Sequence, residues 1–322
     1  MIPRLSVTMA VHDAESYLAA ALESIQRQTF TDFELIAVDD GSRDGSRAIL
    51  ERHAASDPRL RVIARPHEGI VATRNVALAA AQCELVAVMD ADDVAHPERF
   101  ARQVAYLRSH PEILALGTGV EIIDPEGCPI RRLQVPLDHA AIDAALMRGR
   151  GEALVHPSVM FRREAMLAAS GYREGCDSVE DLELCLRLAE RGRLANLPET
   201  LLQYRHHLRK STYALGSEHR RLANRVLRDA RLRRGLDVSS DFEMPALASE
   251  TPAVDYRCEW VRQAVIGGNL ATARKHALAV LRAQPRRARS WQLLARALFG
   301  LRVEPLKRWL GRGRSSTNAV AR

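Results

Sequence analysis

The sequence lacks any long apolar run. Among its 322 residues no apolar stretch reaches the roughly 18 to 20 residues needed to cross a bilayer. Met1 to Leu5 lead directly into a strand pattern and not into the apolar region of a signal peptide. We therefore expect a soluble protein of the cytoplasm, with one core domain of about 200 residues and an appendage.

Cysteine is scarce and scattered. The number of cysteines, five, is odd, and no two of them form a C-x-x-C pair, so the sequence favours neither a disulfide framework nor a zinc site. We expect buried or neutral thiols. The cysteines are Cys83, Cys128, Cys176, Cys185 and Cys258.

Lysine and aromatic residues are also rare, and charge is unevenly distributed. All three lysines follow residue 209, so a cationic site in the first 200 residues must use arginine. Residues 201–322 carry 25 Lys and Arg against 9 Asp and Glu, whereas residues 1–200 carry 22 against 31. With 5 % aromatics and no recognised nucleic-acid motif, we expect no nucleic-acid partner. An anionic membrane surface suits the basic region.

Short apolar runs alternate with helical patterns over the first 110 residues. Alternating strands and helices of this length predict parallel pairing and an α/β doubly wound sheet, whose ligands lie at the carboxyl ends of the strands. The runs at 5–11, 34–38, 60–64 and 84–89 predict strands, and the patterns at 14–28, 44–56, 69–82 and 97–109 predict helices. Further on, the pattern predicts strands at 113–123 and 153–161, and a helix near 138–149.

Acidic residues follow three of these predicted strands. Asp13 comes after the first strand, Asp39 and Asp40 after the second, and Asp90 and Asp92 after the fourth. Carboxylates on one edge of a sheet repel each other unless a cation or hydrogen-bond donors compensate. The sequence therefore predicts a metal site at this edge.

The segment Asp90-Ala91-Asp92-Asp93 is the sharpest of these signals. Carboxylates at i and i+2 after a strand can converge on one hard cation and a phosphate oxygen. A solvated acidic turn is the plainer alternative. The same motif also suits a haloacid-dehalogenase-type phosphatase with Asp90 as nucleophile. That chemistry needs a downstream catalytic lysine, and the first lysine in the chain is Lys210.

Three further motifs each have a structural and a functional interpretation. Asp39-Asp40-Gly41 suits turn and capping chemistry, or a carboxylate that accepts a hydrogen bond from a nucleobase. Arg74 is either an exposed helix arginine or a partner of phosphate or base. Ser178-Val179-Glu180-Asp181 has the form of a capping box, or else carries a general base.

The end of the chain is basic and helical. The segment Tyr204 to His207 follows a predicted strand bounded by Pro198. His206 and His207 are either surface residues or contacts to a ligand or phosphate. From about residue 216 the pattern is helical, with a linker at 240–252 and two or three amphipathic helices over 254–300 that resemble one copy of a helical-hairpin repeat. We therefore divide the chain into a domain at 1–215 and a helical C-terminal region at 216–322.

Together these motifs resemble the family 2 inverting glycosyltransferases with a GT-A fold, of the type found in bacterial cell-surface polysaccharide synthesis. The resemblance covers about residues 3–212. Seven motifs occur in the family's order, and their order is what makes the resemblance specific. They are Leu5 to Leu18, Ser24 to Thr29, Phe33 to Ser46, Gly69 to Asn75, Asp90 to Asp93, Glu180-Asp181, and Tyr204 to His207.

The resemblance implies a fold and a role for each matched residue. The fold is a Rossmann-like mixed sheet, doubly wound. Asp181, then Glu180, is the expected base, while Asp92, Asp90 and His207 are expected around Mn²⁺ or Mg²⁺. The nucleotide-sugar, with a UDP-sugar favoured, is expected to contact Ala10, His12, Asp13, Asp39, Asp40, Arg74, Asp90 and Ala91.

Three of these positions depart from the family pattern. Ala10 replaces a proline, His12 a tyrosine and Asp13 an asparagine. Because all three are expected to line the base pocket, the nucleotide itself stays open.

The implied reaction moves a sugar with inversion to an acceptor hydroxyl, on a saccharide or a lipid-linked acceptor. The basic region, with the segment Leu301 to Arg314, is expected to rest on an anionic membrane. A solvated helical cap and a protein-docking module are equal alternatives for it. Two alternatives stay open. A sugar nucleotidyltransferase should carry an N-terminal glycine-rich phosphate loop, which residues 8–20 lack. A non-catalytic protein would bind through its helical C-terminal region.

Overall fold

The computed structural model describes residues 4–207, 216–238 and 253–300. Contacts between Cα atoms divide the chain into a first unit, Met1–Pro252, and a second unit, Ala253–Arg322. The predicted boundary at 215/216 differs from this division, because the helix Gly216–Arg233 buries Leu222, Val226 and Leu227 in a core of the first unit. The functional division of the chain stays a prediction.

The first unit alternates strands and helices as the sequence predicts. Its strands are β1 Leu5–Val11, β2 Phe33–Asp40, β3 Leu60–Arg65, β4 Leu85–Asp90, β5 Val94–Ala95, β6 Ile113–Ile123, β7 Pro129–Leu133, β8 Met160–Arg162 and β9 Arg193–Arg205. Its helices are α1 Leu18–Gln26, α2 Ser46–Ser56, α3 Ile70–Ala80, α4 Arg99–Ser109, α5 His139–Leu146, α6 Arg163–Ala168, α7 Glu180–Ala189 and α8 Gly216–Arg233.

The strands form one mixed sheet in the order β3-β2-β1-β4-β8-β6-β9-β5, with β7 paired to β6. The strands β3, β2, β1 and β4 are parallel to one another. β8 then runs antiparallel between β4 and β6. The parallel half brings the carboxyl ends of β2, β1 and β4 side by side, as the sequence predicts.

Two apolar cores cover the two faces of the sheet. Successive side chains of a strand point to opposite faces of the sheet. In β2, Leu35 and Ala37 therefore enter one core while Ile36 and Val38 enter the other. Helices α1, α2 and α4 pack in the core that holds Leu35, and helices α3, α5, α7 and α8 in the core that holds Ile36. A parallel sheet buried on both faces explains the continuous apolar runs of its strands.

Two predicted elements are different in the structure. The strand predicted at 153–161 is two short 3₁₀ turns, Gly151–Leu154 and His156–Ser158, followed by β8. Pro157 cannot donate to a strand ladder, and it lies in the second turn. The sequence also reads Tyr204 and Arg205 as following a strand bounded by Pro198, whereas β9 continues through both residues and shifts its register beside Pro198.

The second unit consists of three helices, α9 Ala253–Ile266, α10 Leu270–Ala283 and α11 Ala288–Phe299. The predicted two or three helices are thus confirmed. Their buried side chains include Trp260, Ala273, Ala277 and Leu293. The linker predicted at 240–252 and the segment Leu301 to Arg314 lie outside the described residues. Among the described helices, none is both long and apolar enough to cross a membrane.

All five cysteines are free, and four of them are buried. Burial raises the pKa of the Cys83 thiol to about 11 and also raises the pKa values of Cys176, Cys185 and Cys258. These thiols are therefore neutral near pH 7, as the sequence predicts.

Candidate active site

A cavity of about 510 Å³ opens at the carboxyl ends of β1, β2 and β4. Ten of the twelve site residues that the sequence predicts line it, and Asp39 and Asp181 do not. The ten are Ala10, His12, Asp13, Asp40, Arg74, Asp90, Ala91, Asp92, Glu180 and His207. Residues from six of the seven motifs therefore share one concave surface, and the motif Ser24 to Thr29 does not reach it.

The residues after β1 join the first strand to the turn after β2. The His12 Nδ1–H donates to the backbone oxygen of Asp40 at 2.8 Å, and the His12 ring stacks on His67 with centroids 4.2 Å apart. Asp13, at φ +47°, accepts the backbone N–H of Arg43 at 2.7 Å. The two histidine rings form a flat aromatic wall of the cavity.

The two carboxylates after β2 hold loops in place. Asp39 Oδ1 accepts the backbone N–H of Ser42 at 3.1 Å. Asp40 accepts the backbone N–H groups of Glu68 at 2.8 Å and of Gly69 at 3.1 Å, which shapes the entry to α3. The turn interpretation of this motif is thus confirmed, whereas the capping interpretation is wrong, since Gly45 is the N-cap of α2 and no side chain caps it. A contact of Asp39 or Asp40 with a nucleobase stays a prediction.

Arg74 on α3 is buried at the centre of the site and bridges two carboxylates. Its Nη1 lies 2.9 Å from Glu180 Oε1, and its Nη2 lies 3.0 Å from Asp90 Oδ1. Burial lowers the pKa of Arg74, but the Glu180 and Asp90 carboxylates outweigh burial and raise it above its ordinary value. The interpretation of Arg74 as an exposed helix arginine is therefore wrong.

Glu180 starts α7 and points into the cavity. Its side chain is 7 % exposed, and Oε2 has no hydrogen-bond partner among the described residues. Burial raises the pKa of Glu180 to about 7, against the lowering effect of Arg74. The neighbouring Asp181 accepts the backbone N–H of Leu182 at 2.7 Å and does not line the cavity.

The capping box that the sequence suggests for this helix is wrong. Val179 is the N-cap residue and no side chain caps the helix. Ser178 adopts φ +74°, and its buried hydroxyl has no hydrogen-bond partner among the described residues. The strained Ser178 backbone leaves its hydroxyl at the cavity wall.

The carboxylates after β4 form the predicted acidic cluster. Asp90, Asp92 and Asp93 each offer an oxygen, and these oxygens all lie within 4.8 Å of one another. The end of β9 brings His207 Nε2 to 2.8 Å from Asp92 Oδ2. Hard oxygen ligands beside one imidazole suit Mn²⁺ or Mg²⁺. The residues present therefore fit the predicted metal.

Asp93 differs from its two neighbours because it is fully buried. Its Oδ1 accepts the backbone N–H of Arg205 at 2.8 Å, which anchors β9 to the acidic segment. Arg99, also fully buried, donates to the backbone oxygen of Val88 at 2.9 Å. Burial lowers the pKa of Arg99 to about 9, although Asp93 and Asp90 oppose this, so the arginine carries its charge beneath the carboxylates near pH 7.

Several residues in or behind the cavity are not among the site residues that the sequence predicts. Tyr17, His67, Thr73, Asp177 and Ser178 line the cavity, and His156 and Tyr172 lie behind Arg74. A signal existed for His67, which precedes the glycine that opens α3. None existed for His156 or Tyr172, because neither follows a strand that the sequence predicts.

A family model for glycosyl transferase family 2 matches residues 6–166 of the chain. The match covers half of the chain and spans the parallel strands, the acidic segment after β4 and the segment that leads into α6.

Curated relatives of this kind act in bacterial polysaccharide synthesis, as their names state. The O-antigen biosynthesis glycosyltransferase WbnJ of Escherichia coli is 32 % identical over 216 residues, which cover 66 % of this chain and 83 % of WbnJ. The amylovoran biosynthesis glycosyltransferase AmsE of Erwinia amylovora is 32 % identical over 205 residues, which cover 62 % of this chain and 75 % of AmsE.

Solved structures share the fold. The chain matches S. aureus TarS 1-349 in complex with UDP-GlcNAc with a TM-score of 0.57 and 17 % identity, covering 92 % of this chain and 79 % of that one. It matches the mannosyltransferase PcManGT of Pyrobaculum calidifontis, in complex with GDP-Man and Mn²⁺, with a TM-score of 0.53 and 18 % identity, covering 96 % and 83 %. The predicted GT-A fold is confirmed.

Proposed function

This chain belongs to glycosyl transferase family 2 and is a glycosyltransferase, and on that premise we propose that it moves a sugar, with inversion, from a nucleoside diphosphate sugar to an acceptor hydroxyl. The observation that carries the proposal is the single cavity that gathers ten predicted site residues at the carboxyl ends of the parallel strands. Family membership decides against the nucleotidyltransferase and against the non-catalytic binding protein.

The donor occupies this cavity, and a UDP-sugar is our first choice. TarS was solved with UDP-GlcNAc and PcManGT with GDP-Man, so both nucleotides belong in the test. The stacked His12 and His67 rings offer an apolar face to a base. Ala10, Asp13, Asp40, Arg74, Asp90 and Ala91 complete the proposed donor contacts, with Asp39 supporting them through the turn at Ser42.

The metal site of the proposal consists of Asp92 and His207, with Asp90 beside them. When bound, Mn²⁺ or Mg²⁺ supplies positive charge against the departing diphosphate. Arg74 adds a fixed positive charge to the same wall. Asp90 accepts from Arg74 at 3.0 Å, so its orientation is set before any ligand arrives.

Sugar transfer needs a base for the acceptor proton. The acceptor oxygen forms a bond to the sugar C1 while the bond from C1 to the diphosphate oxygen breaks, and the acceptor proton passes to a carboxylate. Asp181 is the base that the family resemblance implies. Glu180 is the other choice, and its place in the cavity lining and its pKa of about 7 support it.

The acceptor is a saccharide or a lipid-linked saccharide in our proposal, as the names of the relatives suggest for polysaccharide synthesis. The proposal includes action in the cytoplasm. It also includes contact of the basic region 201–322 with an anionic membrane, because this region carries 25 Lys and Arg against 9 Asp and Glu.

The test is a screen of nucleotide sugars by thermal unfolding, each with Mn²⁺, with Mg²⁺ and with EDTA. A donor at about 100 times its Kd should add about 2.7 kcal/mol to the free energy of unfolding. We expect a shift with one nucleotide class, lost in EDTA. No shift with any UDP- or GDP-sugar in either metal would overturn the proposed donor site.

A further inference from the structure

A closed ring of polar residues, of which His156 and Tyr172 are buried, lies behind the cavity and holds Arg74. We propose that His156 and Tyr172, neither of them at the cavity wall, are positioning residues that fix the Arg74 guanidinium between Glu180 and Asp90. The ring is a feature of the fold by itself. Its effect on donor binding rests on the proposed function.

The first link of the ring runs from Arg74 to His156. Arg74 Nη1 lies 2.9 Å from His156 Nδ1, and a guanidinium nitrogen can only donate, so Nδ1 accepts. The ring proton of His156 is then on Nε2, which lies 3.0 Å from the Tyr172 hydroxyl and donates to it. His156 is 3 % exposed.

The charge state of His156 agrees with this assignment. Burial, together with the positive charges of Arg74 and Arg99, holds the pKa of His156 well below 6.5. A neutral imidazole can accept at one nitrogen and donate at the other, whereas an imidazolium could not accept from Arg74. The two hydrogen bonds therefore run in one direction: Arg74 donates to His156, and His156 donates to Tyr172.

The second link returns from Tyr172 to α3. Asn75 Nδ2 donates to the backbone oxygen of Tyr172 at 2.8 Å, and the Tyr172 N–H donates to Asn75 Oδ1 at 2.9 Å. Asn75 is the next residue after Arg74, so the ring closes on a single turn of α3. The close approach depends on Gly171, where an added Cβ would lie 2.6 Å from Asn75 Oδ1.

The ring fixes the guanidinium in rotation. The two Nη nitrogens of Arg74 pair with carboxylates on different elements, Glu180 on α7 and Asp90 at the end of β4. A planar fork keeps both contacts only while its orientation is held. His156 supplies a contact on the protein side of the fork, so the ring sets how a proposed base residue and a proposed metal carboxylate are arranged around Arg74.

A purely packing role for His156 is the competing explanation. An apolar side chain of similar size would fill the same buried space without needing two hydrogen-bond partners. The two explanations differ in what happens to Arg74, and this difference can be measured without any ligand.

The first experiment records the Arg74 guanidinium signals by ¹⁵N NMR in the full chain, identified by their loss in Arg74→Lys. We expect slow rotation, with separate Nη proton signals, in the wild type and in His156→Asn, which keeps an acceptor near the Nδ1 position. His156→Phe and Tyr172→Phe should average these signals. Unchanged Arg74 signals in His156→Phe, or a His156 proton on Nδ1, would overturn the proposal.

The second experiment is a double-mutant cycle on donor binding, with UDP-GlcNAc or GDP-Man and Mn²⁺, whichever binds the wild type. His156→Phe should weaken binding about 10-fold with Arg74 present and less than about 2-fold in Arg74→Lys, because His156 acts through Arg74. Equal factors in both backgrounds would show packing alone and overturn the proposal.

A matched control is His276→Phe. His276 of α10 is also fully buried and lies 3.3 Å from an arginine nitrogen of Arg257, but it is in the second unit. It should leave donor binding unchanged. If the wild type binds neither nucleotide sugar, the proposed function fails. The NMR experiment needs no ligand, so it still tests whether His156 and Tyr172 hold the Arg74 guanidinium.

Discussion

At the scale of single residues, the acidic side chains at the strand ends divide into two kinds. Asp39, Asp40 and Asp93 are buried and accept backbone N–H groups that shape the neighbouring loops. Asp90 and Asp92 are partly exposed and line the cavity. The first kind therefore shapes the loops around the cavity, and the second kind presents the carboxylates of the proposed metal site. Asp40 does both, because it also lines the cavity and stays a proposed donor contact.

Asp92 offers a direct test of the metal site. Asp92→Asn removes a charged oxygen ligand beside His207 and should weaken the affinity for Mn²⁺ by at least about 10-fold. Mn²⁺ titration monitored by donor-induced thermal stabilisation measures this. Glu98→Gln is the matched control, because Glu98 is an exposed acid that does not line the cavity and pairs only with Arg102 among the described ion pairs. Equal Mn²⁺ affinity in Asp92→Asn and wild type would contradict the assignment.

Glu180 predicts a pH dependence of stability. Its pKa is raised from an ordinary 4.5 to about 7 by burial. The folded form therefore binds the proton more tightly than the unfolded chain, so the stabilising contribution is complete below pH 4.5 and is lost as the pH rises through 7. The free energy of unfolding of the wild type should fall by up to about 3 kcal/mol across this window, relative to Glu180→Gln.

Urea unfolding at pH 5 and pH 8 measures this difference. Glu180→Gln is neutral at both pH values, and Glu23→Gln, at an exposed acid of α1, serves as the control that keeps the wild-type slope. Parallel curves for wild type and Glu180→Gln would show that Glu180 is ionised throughout.

At the scale of elements, the sequence predicts the parallel strands and their helices well, and also the helix α5, but it predicts the segment 151–162 poorly. Strands β1 to β4 are buried on both faces and have uniform apolar runs, which is the strongest local signal for a strand. The segment 151–162 has no such period, because its side chains are buried by the tertiary contacts of α5, α7 and the sheet. His156 was missed for this reason.

The turn after α6 should be sensitive to any added side chain. Gly171 has φ +63°, and a Cβ there would lie 2.6 Å from Asn75 Oδ1, so Gly171→Ala should cost about 3 kcal/mol of unfolding free energy. Gly235→Ala, at φ +65° with nothing within 4 Å, should cost about 1 kcal/mol.

Chemical denaturation of the two glycine variants separates steric contact from backbone strain. The two positions share the left-handed backbone and differ in the neighbouring Asn75. If both variants lose the same free energy, contact with Asn75 contributes nothing, and the fixed position of Tyr172 would need another explanation.

At the scale of the whole molecule, the unequal charge of the two parts of the chain predicts behaviour at a surface. The full chain should sediment with vesicles containing anionic lipid at low ionic strength, and be released at about 0.5 M salt, where the Debye length is below about 5 Å. Replacing Arg302, Lys307, Arg308, Arg312 and Arg314 by glutamine should reduce the sedimented fraction several-fold. Vesicles of zwitterionic lipid alone are the control, and no binding to anionic vesicles at low salt would contradict the membrane prediction.

The sequence by itself determined the family, the parallel half of the sheet and ten residues of one cavity, because those features are written in local apolar periods and in motifs with a fixed order. Only the tertiary structure decided which carboxylate oxygens face the cavity. In the folded chain Asp40 accepts a backbone N–H from the loop before α3, and Glu180 pairs with Arg74. His156 contacts Arg74, and Tyr172 contacts His156. Hydrogen-bond direction and burial depend on groups up to 115 positions apart in the chain, and a local sequence pattern carries no information about such pairs.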